Sequence, residues 1–153
     1  MCSQSRKGMI CSILAVLFGV AIPASAGGHH FLNGTWVLVP TRSEFGGGPA
    51  IETGNVTIND RQGHIYVSRS FTYDGALGTV SYNFSVDGSE NSTIHEGKTV
   101  KCKAKWEGDV LQVTTTEDKI PTVERYSLTA DGALRLTVER PSHEILTLTF
   151  LRQ

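Results

Sequence analysis

The chain has 153 residues, 39% of them hydrophobic and 19% charged, with a formal net charge of −1 at neutral pH. That balance suits one domain with a real core and gives no electrostatic reason to expect nucleic acid as a partner.

Residues 1–26 read as a cleaved export signal. A basic start at Arg6-Lys7 carries no acid, an apolar run follows from Met9 through Ile22, and Ala24-Ser25-Ala26 supplies the small residues that signal peptidase requires. The apolar run is shorter than the roughly 20 residues a membrane span needs. Cys11 stands at its start, not at the end where a lipoprotein would carry it. Removing the leader leaves a single domain, 27–153, with a formal charge of −3, expected to be secreted or periplasmic. Cys102 is then the only cysteine, so stability must come from packing and sheet hydrogen bonds, not from an internal disulfide.

Cleavage after Ala26 exposes the amine of Gly27-Gly28-His29. The amine, two amides and the imidazole form an all-nitrogen square-planar donor set suited to Cu(II) or Ni(II). The plainer reading is a flexible tail that binds such metals only adventitiously. No other cofactor is expected.

Short alternating runs rich in Val, Thr, Tyr, Ile and Phe fill the rest of the chain. Strands are predicted at 35–39, 55–59, 64–72, 80–86, 91–95, 100–106, 110–116, 122–129, 133–140 and 144–151. Turn dipeptides at Asp74-Gly75, Asp87-Gly88, Glu96-Gly97, Glu107-Gly108, Asp131-Gly132 and Pro141-Ser142 separate them. About ten strands joined by hairpin-length turns best hide their edges by closing into a barrel. A two-sheet sandwich is the alternative, but its crossings need longer connections. The longest connection, 40–53, holds three glycines and two prolines, which forbid a long helix, although Ser43 can cap one short turn. It is expected either to shape one barrel mouth or to be a mobile surface loop.

The opening of the first strand, Asn33-Gly34-Thr35-Trp36, resembles the Gly-x-Trp motif of lipocalins and the wider calycin group. The phrase Leu32–Pro40, followed by Ser43-Glu44-Phe45-Gly46 and a Gly/Pro stretch, is similar to small exported bacterial lipocalin-like proteins. The resemblance implies an antiparallel up-and-down barrel of about 8–10 strands over 27–153. It also implies that Trp36 crosses the barrel floor beneath a basic residue from near the C-terminus; Arg152 fits best, Arg140 second. In length the chain is closer to the fatty-acid-binding proteins. Yet 40–53 cannot supply their two-helix lid, and the ending Thr149-Phe150-Leu151-Arg152-Gln153 lacks their pairing of a basic residue with tyrosine.

Alternation points Tyr82, Phe84, Trp106, Leu136, Leu146, Leu148 and Phe150 inward, with Arg69 and Arg140 on otherwise apolar faces and Tyr126 as a hydroxyl donor. An inward arginine is costly unless paired, and a ligand carboxylate is one good partner. The plainer reading puts both arginines at strand ends, where long stems carry the charge to water. Lys101, Lys103 and Lys105 read as a solvated face, and Cys102 as a small buried apolar group. His64, His95 and His143 are scattered, and no nucleophile elbow, phosphate loop or metal spacing occurs in 27–153, so no enzyme is expected. The leading expectation is a monomeric, non-enzymatic exported barrel holding a small apolar or amphipathic ligand. The alternatives are an inhibitor of a secreted protease or lysozyme, acting through Gly27–Leu32 or 40–53, and a structural or stress-related envelope protein without a ligand.

Overall fold

The computed structural model describes residues 29–95 and 97–153. The leader assigned to 1–26, and Gly27 and Gly28 of the metal motif, lie outside the described residues. Ten strands form one antiparallel sheet: β1 (Gly34–Leu38), β2 (Thr53–Arg61), β3 (His64–Tyr73), β4 (Ala76–Ser85), β5 (Asn91–His95), β6 (Lys98–Glu107), β7 (Val110–Glu117), β8 (Ile120–Leu128), β9 (Leu134–Glu139) and β10 (Leu146–Arg152). Chain neighbours pair throughout except β4 with β5, and β1 pairs with β10, so the order runs β4-β3-β2-β1-β10-β9-β8-β7-β6-β5. The result is an all-β, nearly closed barrel in place of a sandwich. Among the described residues no helix is long and apolar enough to cross a membrane.

Each predicted strand falls on one observed strand, because strict alternation buries one face: β2 and β6 carry buried residues at every second position over most of their length. Two features lay outside the pattern. β4 begins at Ala76, four residues early, since Leu77-Gly78-Thr79 still pair with Thr72, Phe71 and Ser70 despite the glycine. The β7–β8 turn is Asp118-Lys119, both at positive φ with no glycine to announce it.

Because the strands alternate in direction, all odd-to-even connections lie at one end and the N-terminal turn at the other. At the latter end His30–Leu32 forms a 3-10 turn, and Asn33 locks it down by accepting from the Asp60 N–H at 2.6 Å. Trp36 is fully buried and donates from Nε1 to the Leu32 carbonyl at 2.9 Å. The Arg152 guanidinium lies 4.4 Å from the Trp36 ring centroid and donates to the Asn33 and Phe31 carbonyls, each at 2.8 Å. Gly34, at φ +137°, lets the guanidinium come this close: a Cβ there would sit 3.2 Å from Arg152 Nη1. Arg140, the second candidate for this position, is at the opposite end.

There the 39–52 connection is stitched to β10. Val39 donates to Thr149 O at 2.8 Å, and Glu44 exchanges backbone bonds with Thr147. Ser43 closes the short turn Pro40–Arg42 instead of starting one; its hydroxyl donates to Val39 O and accepts from Thr149 N. Gly46, at φ +57°, packs so closely on the β9–β10 connection that a Cβ would meet Glu144 O at 3.0 Å. Ile51 enters the core and Phe45 packs against it. The segment therefore shapes the mouth of the barrel and contains no two-helix lid.

Arg152→Ala removes the cover of Trp36 and two charge-assisted hydrogen bonds. It is expected to lower unfolding stability by about 1–3 kcal/mol in a urea titration, whereas Arg152→Lys, a point charge without the planar fork, is expected to restore only part of that loss.

Candidate binding site in the barrel interior

The inner face of β3 reads Ile65, Val67, Arg69, Phe71 and Tyr73, so alternation drives one guanidinium into the lumen. Its partner comes from the opposite wall. β8 turns Glu124 and Tyr126 inward, and Glu124, only 1% exposed, forms an ion pair with Arg69 Nη1 through Oε1. Its other oxygen accepts from the Tyr126 hydroxyl at 2.7 Å. Arg69 also lies over the Tyr82 ring, 5.8 Å from its centroid. Burial works against the Arg69 charge, but Glu124 outweighs it and raises the guanidinium's pKa. Burial, then the neighbouring carboxylate, raises that of Tyr126, which stays a neutral hydrogen-bond donor.

The cost of an inward arginine is thus met by the protein itself. Glu124 is the residue that sequence reasoning missed, although the signal was present: it stands two positions before inward-facing Tyr126, on the same face.

The ion pair divides the lumen. Toward Trp36 the space is filled by Ile58, Ile65, Phe84, Leu111 and Tyr126, all at most 1% exposed. Toward the mouth are two adjoining pockets. The inner one, about 170 Å³, is floored by Arg69 and Glu124 and walled by Phe71, Tyr73, Val138 and Leu146. The outer one, about 240 Å³, shares Tyr73, Val138, Arg140 and Leu146 and adds Phe45, Pro49 and Ile51 from the 39–52 connection. Burial raises the Tyr73 pKa against the pull of Arg69 and Arg140. A third recess, about 400 Å³, opens where β4 and β5 fail to pair; Tyr82, Phe84 and Cys102 line it with polar Ser81, Asn83 and Asn91.

The six residues expected to line a ligand site are therefore dispersed. Arg69 and Arg140 reach the mouth pockets, Arg140 as an exposed residue just past β9 and not from inside the strand. Tyr82 and Phe84 line the side recess. Tyr126 is fully buried with its hydroxyl committed to Glu124. Trp106 belongs to the sealed end, where His29 stacks on it at 4.0 Å and Phe31 lies 5.8 Å away.

Elsewhere, Lys101 and Lys103 are salted by Glu90 and Lys105 by Glu107, on the solvent face. Burial raises the Cys102 pKa and disfavours its thiolate. Among the described residues no three His, Cys, Asp or Glu side chains converge on a metal position.

No protein-family model matches the chain, and no curated protein matches its sequence. Solved structures do match. The chain superposes on fatty-acid-binding protein 1 of Echinococcus granulosus with a TM-score of 0.61 at 16% identity, covering 80% of this chain and 98% of that one. A Schistosoma mansoni fatty acid binding protein in complex with arachidonic acid gives 0.58 at 15%, covering 83% and 99%. Secretory abundant heat soluble protein 4 from Ramazzottius varieornatus gives 0.62 at 15%, covering 80% and 94%. This likeness shows the fold. It covers nearly the whole of each neighbour, while the two-helix lid that the resemblance to fatty-acid-binding proteins would imply is absent from the stitched 39–52 connection.

Removing one member of the ion pair strands a buried charge. Glu124→Leu, and Arg69→Met in parallel, are each expected to lose about 3–5 kcal/mol of unfolding stability, whereas the double variant Arg69→Met/Glu124→Leu recovers most of it. Chemical denaturation of the four proteins checks the cycle; losses that simply add would contradict the pairing.

Proposed function

We propose that the chain is an exported, non-enzymatic barrel that holds a small apolar or amphipathic molecule in the pockets at its open end. The observation that carries this is the apolar space above the Arg69–Glu124 pair, walled by Phe71, Tyr73, Val138 and Leu146 and roofed by Phe45 and Ile51. Binding sites are typically concave and mostly apolar, with few polar groups, and span roughly 300–1,000 Å³. Adjoining pockets of about 170 and 240 Å³ each fall below that scale, reach its low end only when taken together, and favour a small occupant. Two of the structural neighbours are named as fatty-acid-binding proteins, and one of these was solved with arachidonic acid, which supports an interior ligand on this fold. Export rests on the leader-like 1–26, with its basic start, apolar run and Ala24-Ser25-Ala26.

Val138→Trp fills the space shared by both pockets. The wild-type protein is expected to bind a neutral apolar fluorophore such as Nile red saturably at one site, and Val138→Trp to weaken it by roughly tenfold or more, about 1.4 kcal/mol. Tyr82→Ala, at the side recess, checks the location: if it weakens the dye while Val138→Trp does not, the ligand sits between β4 and β5 and the mouth assignment fails.

A further inference from the structure

The charges around the mouth pockets fix which way round an amphipathic ligand lies. At the bottom, Arg69 is already neutralised by Glu124, and the Tyr126 hydroxyl is spent on the same carboxylate. An anionic head group brought to that depth would meet a buried carboxylate and no uncommitted cation, so the floor rejects it. At the rim the balance reverses. Arg140 lines both pockets, and among the described residues it forms no ion pair. The one carboxylate lining the outer pocket, Glu144, is turned toward the glycine loop, with Oε2 placed 3.3 Å from where a Gly47 Cβ would be. His143 Nδ1 is occupied by the Pro141 carbonyl at 2.9 Å.

The register sets the depth. Glu124 pairs with Val138 across β8 and β9, and Arg140 is two residues further up the same chain. At about 3.4 Å per residue the Arg140 backbone stands only ~7 Å along the strand from the level of Glu124, and with pockets of about 170 and 240 Å³ this leaves room for a short chain and not for a long one.

We infer that the ligand is a short aliphatic carboxylate, bound tail first, with its head group on Arg140 at the rim and its chain packed on Phe71, Tyr73 and Leu146 above the Arg69–Glu124 pair. This rests on the mouth pocket being the binding site, and it adds the head-group chemistry, the orientation and the limit on chain length.

Isothermal titration of the folded protein with octanoate, octanol and palmitate separates these claims. Octanoate is expected to bind at least about tenfold more tightly than octanol, and palmitate no better than octanoate. Arg140→Gln, an exposed change that spares the fold, is expected to erase the preference for octanoate while leaving octanol affinity unchanged. Equal binding of octanoate and octanol, or a preference that survives Arg140→Gln, would overturn the head-group assignment while leaving the pocket itself intact. A clear preference for palmitate would overturn the limit on length. If none of the three binds, the mouth-pocket reading falls, and this inference with it.

Discussion

A guanidinium and a carboxylate facing each other across the inside of a barrel constrain everything around them. Arg69 and Glu124 come from strands on opposite walls, and neither can leave the other without stranding a charge in a medium that solvates it poorly. Such pairs contribute little net stability, because removing two ions from water offsets most of their attraction. Their influence is on geometry. The pair holds β3 and β8 at a fixed separation and draws Tyr126 into the same network. It also sets the level at which apolar packing stops and open space begins. A pair of aliphatic residues here would leave the lumen without that polar divide.

The two ends of the barrel answer different needs. At the sealed end, the chain entering β1 and the last residues of β10 meet, and Arg152 satisfies two carbonyls while covering Trp36. At the mouth, the 39–52 connection is held open by backbone bonds to β10 and by glycine contacts with the β9–β10 connection, which place Phe45 and Ile51 over the pockets. The unpaired edges of β4 and β5 are the cost of near-closure. β4 carries neither a charged residue nor a proline, the usual guards of an exposed edge, and most of its residues are exposed.

Much of this was legible in the sequence, and the exceptions share a cause. Period-two alternation marks a strand from its own residues, so all ten strands could be found locally, down to the ends of β5 at Asn91 and His95. The contact between Trp36 and Arg152 was reached only through what the resemblance of Gly34-Thr35-Trp36 to the Gly-x-Trp motif implies, with Arg140 as the second choice. Arg69 was seen to face inward, yet its partner was not seen, since Glu124 lies 55 residues away and no local pattern links the two. An acidic residue beside Arg125 in a polar-looking stretch reads as surface until the barrel closes and turns its face inward. Arg140 sits higher than expected for a smaller reason: the predicted strand ran one residue too far, so the residue expected on its apolar face stands just past β9, at the rim of the two pockets it lines. The pockets were not legible at all, being the remainder left by side chains from several strands.

The most direct test of the divided lumen is a crystal structure of the protein under xenon pressure, since the gas marks apolar space that protein atoms leave unfilled. The division described here predicts xenon only on the side of the Arg69–Glu124 pair that faces Tyr73 and Leu146, with the pair intact beneath it. Xenon lodged between Trp36 and Tyr126, or Arg69 turned away from Glu124, would contradict it.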